Sequence, residues 1–285
     1  MNEKFRVVGI LPEEPLPLAK KRWYEGKPLA AMAILAVIAL GCLCCDLIAP
    51  VDPNYMDLAH CAAAPSGDYP FGTDTMGRDI FAMVWHGGRV SLTIGLLATA
   101  LSTLMAILLG GLAGWAPEWL DEVLERVMEI VLSVPNLLLV VFLQAMLGGA
   151  TVWSLSLVIG LTGWMSLAKV VRSEVRRLRQ SGYVVAARSM GGGFFYILRR
   201  HLTPNFLSSI AFMVVMNLRS AIVAESTLSF MGLGLSLETV SWGSMLSLAD
   251  KALLTGGWWI LVIPGAFLIV TLLCVTELAE LLRRR

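Results

Sequence analysis

Two ionisable residues interrupt an otherwise apolar stretch, Phe206–Phe230: Arg219 and Glu225. A charge at bilayer depth costs about 3 kcal/mol on insertion scales, so such groups face protein or a water-filled cavity. The chemistry open to them is recognition rather than bond-making. An arginine in a cavity attracts a carboxylate, and a carboxylate between helices joins an ion pair or a hydrogen bond. Both are candidates for a translocation path. They are six positions apart, roughly 240° around a helix, so each needs its own partner. For Glu225 the packing role is preferred; for Arg219 the two roles stay open. Catalytic machinery is not visible. No GxxxxGK[ST] phosphate loop is present, so ATP cannot be bound in the usual P-loop manner. The five cysteines and three histidines show no metal-ligand spacing, which points to cysteines acting as small buried hydrophobes and to no metal site.

Two polar stretches carry patterns of their own. Tyr183–Asn205 reads YVVAARSMGGGFFYILRRHLTPN. Val184, Ala187, Gly191, Phe194, Leu198 and Leu202 recur at steps of three and four, marking one helix face, with Arg188, Arg199 and Arg200 off it. Gly191, Gly192 and Gly193 make a poor helix interior, so two short helices joined at the glycines are expected. Pro204 fits the first turn of a further helix. The same pattern suits a docking element for a partner or a solvated amphipathic loop on the membrane surface. The other stretch ends in YPFGTDTMGRDIFAMVWHGGRVSLTIGL, where Gly72, Asp74, Gly77, Arg78 and Asp79 signal a turn and a helix start.

The elements that must position these residues are membrane helices. The 285 residues are 57% hydrophobic and 15% charged, against about 25% charged in soluble domains, and the mean hydropathy is +0.74. Six spans are expected, at Leu29–Ile48, Ser91–Trp115, Val127–Leu147, Val152–Val170, Phe206–Phe230 and Trp258–Leu278. Residues 1–28 form a polar N-terminal tail, 49–90 an exoplasmic segment, and 91–285 a five-helix core holding a cytoplasmic loop at 171–205. Pro135 and Pro264 mark kinks within spans. Gly110, Gly111 and Gly114 permit close helix packing, and Trp258 and Trp259 suit an interfacial belt.

Orientation follows from basic residues. Residues 1–28 hold six Lys/Arg, 169–205 eight, and Arg283–Arg285 three, while the other side holds Arg78, Arg89 and Lys251. Seventeen against three places both termini and Tyr183–Asn205 in the cytoplasm. The net charge of +1 gives no reason to expect a nucleic-acid partner.

The motif Ala186–Ala187, Gly191, Ile197, Leu202 and Pro204 resembles the cytoplasmic "EAA" loop of bacterial ABC importer permeases. Val185 stands where that family has its Glu. The segment Tyr69–Leu96, and the strings SVPNLLLV, GWMSLAKVVRSEVRRLRQ, AESTLSFMGLG and SWGSML, resemble the dipeptide, oligopeptide and nickel branch, in its C-type subunit. The likeness runs from about Pro50 to Leu282. It implies an all-α, six-span type I permease fold, with Val184, Ala186, Ala187, Arg188, Gly191, Leu198 and Pro204 coupling it to an ATPase. It further implies a second homologous permease, two ATPase subunits holding ATP and Mg, an external binding protein, and a prokaryotic inner-membrane location with lipid around the spans. The chain itself would hold no cofactor and would not be an enzyme. Di- or oligopeptide is the leading substrate and nickel or a metal chelate the alternative. A secondary transporter or channel working without ATPases is the rival class; it predicts inverted repeats and paired broken helices, which are not evident.

Overall fold

The computed structural model describes residues 29–236, 238–253 and 256–283, and it is helical throughout apart from loops and one isolated bridge. The tail 1–28 and the terminal Arg284 and Arg285 lie outside the described residues. Helix α1 covers Leu29–Leu43, and a further turn, Cys45–Ile48, follows a break at Cys44. Then come α2, Ile80–Trp115; α3, Glu118–Leu132; α4, Asn136–Leu147; and α5, Val152–Leu178. Helix α6 is Gly182–Ser189, α7 Phe194–Phe230, α8 Trp242–Leu253 and α9 Trp258–Arg283.

Four of these, α2, α5, α7 and α9, are long and apolar enough to cross a membrane, and a fifth span results if α3 and α4 count as one. The described residues therefore show four or five candidate spans rather than six. Helix α1, at fifteen residues, reaches only about 22 Å of a hydrocarbon core of about 30 Å. The expected span Val127–Leu147 is not one straight helix. It is two helices bent by 88°, and α3 alone carries Glu118, Asp121, Glu122, Glu125, Arg126 and Glu129. The cause is Pro135, which lacks an N–H and pushes Val134 out of helical geometry; it sits as the residue before α4 at φ −54°. Pro264 behaves differently and lies buried within one continuous helix.

Close backbone contact joins α2 to α5. A Cβ at Gly110 would lie 2.5 Å from the Ala168 carbonyl oxygen, and one at Gly114 2.6 Å from that of Arg172. Both positions need glycine for the approach itself. Both α2 and α7 also contain a π-helical turn, at Ala106–Gly110 and Leu198–Leu202. Pro204 therefore starts no separate helix. It occupies the first α-helical turn after the π turn inside a longer helix, and the Asn205 side chain donates to the His201 carbonyl (2.5 Å). Outward-facing Val262, Ile269 and Leu273 on α9 are exposed, as expected of a lipid-facing surface.

Candidate coupling and transport sites

The loop between α5 and α7 is bolted to the core by the face that periodicity singled out. Val184, Ala187, Ile197, Leu198 and Leu202 are buried in one cluster with Val171 and Val175 of α5. Arg188 lies over the Trp115 ring, 5.6 Å from its centroid. Helix α6 ends in a Schellman motif: Gly191 N–H donates to the Arg188 carbonyl and Gly192 N–H to that of Ala187, both at 3.0 Å. Gly191 has φ +86° and open space where a Cβ would stand. Its requirement is thus the left-handed turn, not close approach.

This burial reassigns part of the expected coupling set. Val184, Ala187 and Leu198 are at most 4% exposed and hold the loop in place; they offer no surface to a partner. Ala186, Arg188 and Gly191 are exposed. Four large apolar residues that the periodicity did not mark, Val185, Met190, Phe195 and Tyr196, are also exposed on this loop, at 50, 81, 71 and 58%. The missed signal was the complement of the helix face: large apolar residues off the buried stripe of a basic loop.

At the opposite end of the spans, the motif 72–79 is a structural knot. Asp74 Oδ1 accepts from the N–H groups of Met76 and Arg78 (both 2.8 Å), and Oδ2 accepts from Arg78 Nε (2.7 Å). Both side chains are almost fully buried. Gly77 has φ +76°, and a Cβ there would collide with the Asp57 carbonyl oxygen. Asp79 caps α2 by accepting from Phe81 N–H (2.9 Å). Trp259 Nε1 donates to the Thr73 carbonyl (3.2 Å), so only Trp258 is left exposed for an interfacial belt. Nearby, a hydrogen bond with the His60 ring (2.7 Å) holds the Asp57 carboxyl below its ordinary value.

Arg219 and Glu225 point to different surroundings, as their spacing requires. Glu225 is fully buried and accepts from Ser91 of α2 (2.9 Å), Ser229 (3.0 Å) and Ser226 (3.2 Å). Ser91 in turn accepts from Trp242 N–H (3.2 Å). Glu225 is therefore a hydrogen-bonded tie between α2, α7 and α8, with no cation beside it among the described residues. Arg219 is half-buried, has no hydrogen-bond or ion-pair partner among the described residues, and borders a cavity of about 360 Å³ with Asn136, Ser220 and Thr227. A second cavity of about 270 Å³ shares Asn136 and Ser220 and adds Thr162, Ser166 and Asn217. The two form a recess between α3, α4, α5 and α7 in which these polar groups interrupt a mostly apolar lining.

Residues 106–285 match the family model described as "Binding-protein-dependent transport system inner membrane component". The chain is similar to the dipeptide transport system permease protein DppC of Bacillus subtilis, with 31% identity covering 98% of this chain and 88% of the relative. It is 31% identical to the oligopeptide transport system permease protein OppC of the same organism, over 86% of this chain and 79% of the relative. With OppC of Escherichia coli K12 the identity is 34%, covering 93% and 88%. An all-helical membrane chain, with a basic loop fixed to its core and a recess between its spans, thus belongs to the inner-membrane permease components of binding-protein-dependent transport systems.

Proposed function

We propose that this chain is one half of the membrane pore of an ABC importer that moves di- or oligopeptides inward. It pairs with a second, homologous permease, two ATPases that hold ATP and Mg, and an external binding protein. On this reading α1 and the bent pair α3–α4 each cross once, making six spans, and the bias of Lys and Arg supports a cytoplasmic side for both termini and the loop 183–205. Such permease components have no ATPase activity of their own, and membership of this family sets aside a carrier working without ATPases. ATP binding draws the loops together and opens the recess outward; hydrolysis returns it. Peptide is favoured because the relatives' names state dipeptide and oligopeptide transport.

The observation that carries the reading is the exposure of Met190, Phe195 and Tyr196 on a loop that its buried face holds rigid. An anchor of this kind is worth about 2 kcal/mol at an interface. Phe195→Asp is expected to weaken ATPase association about 30-fold while the permease still inserts and unfolds at its normal temperature. Pull-down and substrate-stimulated hydrolysis on the reconstituted complex measure this. Normal assembly and hydrolysis with Phe195→Asp would remove the docking role from the loop.

Arg219, which has no hydrogen-bond or ion-pair partner among the described residues, is proposed to draw in the carboxylate of a peptide as the binding protein releases it. Its hold must be weak, since a transport site also lets go. Arg219→Gln should slow uptake several-fold with thermal stability unchanged, and Arg219→Lys should retain part of the rate. A fall in stability that tracks the fall in uptake would make Arg219 a packing residue instead.

A further inference from the structure

The break between α1 and the turn Cys45–Ile48 brings together three residues that sequence spacing did not connect. Cys45 Sγ lies 3.4 Å from His86 Nδ1 across the gap to α2. The ligand atoms of Cys45, Asp46 and His86 all fall within 4.8 Å of one another. The other ring nitrogen, His86 Nε2, is 3.0 Å from the Ala49 carbonyl oxygen. A carbonyl can only accept, so Nε2 carries the proton and Nδ1 turns its lone pair toward the sulfur. A hydrogen bond of this kind orients a metal-binding histidine and fixes its tautomer.

We propose that Cys45, His86 and Asp46 form a binding site for zinc. A tetrahedral zinc ion with bonds of about 2.3 Å to sulfur and about 2.0 Å to nitrogen separates those two atoms by roughly 3.5 Å, and 3.4 Å is found here. Sulfur, imidazole and carboxylate together suit zinc better than calcium or magnesium, which take oxygen. Arg89 pairs with Asp46 through Nη2 (2.6 Å) and Nη1 (3.3 Å). It also reaches the carbonyls of Cys42 (3.2 Å) and Leu43 (2.9 Å). Asp46 therefore enters as a weak, single-oxygen ligand with its charge partly used, and water completes the shell. On binding, the Cys45 S–H bond breaks, the sulfur takes zinc, and the proton leaves to water. Cys45 is buried and Asp46 exposed, so the ion enters from the aqueous edge. Once bound, it clamps the end of α1 to α2, where Arg89 already caps the α1 carbonyls. Cys42 and Cys274 are buried fillers, and on this proposal Cys45 is a ligand instead.

The test uses the full chain in detergent with its thiols kept reduced, titrated with cobalt(II) and then zinc. The expected result is one equivalent of cobalt with a thiolate-to-metal absorption band, displaced by zinc, and a melting temperature that zinc raises. Cys45→Ser abolishes the band and the zinc-dependent shift. His86→Gln weakens binding at least about ten-fold, and Cys44→Ser leaves both readouts unchanged. No band in the wild-type chain, or a band that persists in Cys45→Ser and His86→Gln, overturns the site. Each outcome is independent of transport, so it stands or falls apart from the importer reading.

Discussion

Asp74→Ala is expected to destabilise the chain by about 3–5 kcal/mol, the usual cost of stranding one member of a buried ion pair. Arg78 and Asp74 have side chains only 3% and 2% exposed, so water cannot replace the lost carboxylate. The substitution also removes the acceptor for the Met76 and Arg78 N–H groups. The knot sets the start of α2 and, through Trp259, touches α9, so its loss should spread to the span bundle. The melting temperature of the purified chain should fall by roughly 10 °C, with less protein accumulating in the membrane. Asp74→Ala/Arg78→Met should recover much of the loss, because the unpaired charge goes with it. A single variant as stable as wild type would show that the knot is dispensable.

Asp121→Ala should have the next largest effect. Asp121 is 1% exposed and ties α3 to α5 by accepting from Arg172, with Arg176 2.8 Å away. Arg172 keeps Glu125 as a second partner (2.8 and 3.0 Å), and Arg176 is partly solvated, so the cost is discounted to about 2–3 kcal/mol. The local consequence is sharper than the global one. Helix α3 leads through Pro135 directly into Asn136, which borders both cavities. Freed from α5, it should misplace that wall and slow transport even with Arg219 intact. A cysteine at Met128, 3% exposed in the native packing, reports the release. It should resist thiol labelling alone and label readily when combined with Asp121→Ala. Equal labelling in both backgrounds would mean that Asp121 does not hold α3.

These two ion pairs show where sequence reading stopped. Asp74 and Arg78 are four apart, and their turn was legible from Gly72, Gly77 and the helix-start pattern. Asp121 and Arg172 lie 51 positions apart, and no local pattern links them. The long spans α2, α5, α7 and α9 were legible because unbroken apolar runs leave few alternatives in a membrane. The kink at Pro135 was legible but its size, 88°, was not, because proline is also tolerated within a continuous span, as at Pro264. In the loop, periodicity found most of the buried face, Gly191 being exposed, but a stripe alone does not say whether it packs on its own chain or on another. Glu225 was separable from Arg219 by angle alone, whereas its serine partners became visible only in three dimensions.

The two π-helical turns give the long helices a change of phase. A π turn accommodates one extra residue, and in an α-helix each residue is worth about 100° of rotation. Upstream of Ala106–Gly110, α2 presents Ser91 to Glu225; at the end of the turn and beyond it presents Gly110 and Gly114 to the backbone of α5. The extra residue works as a clutch, resetting the face that the rod turns toward α5 beyond the turn. Trimming a single residue there would leave the rod intact and its teeth out of register.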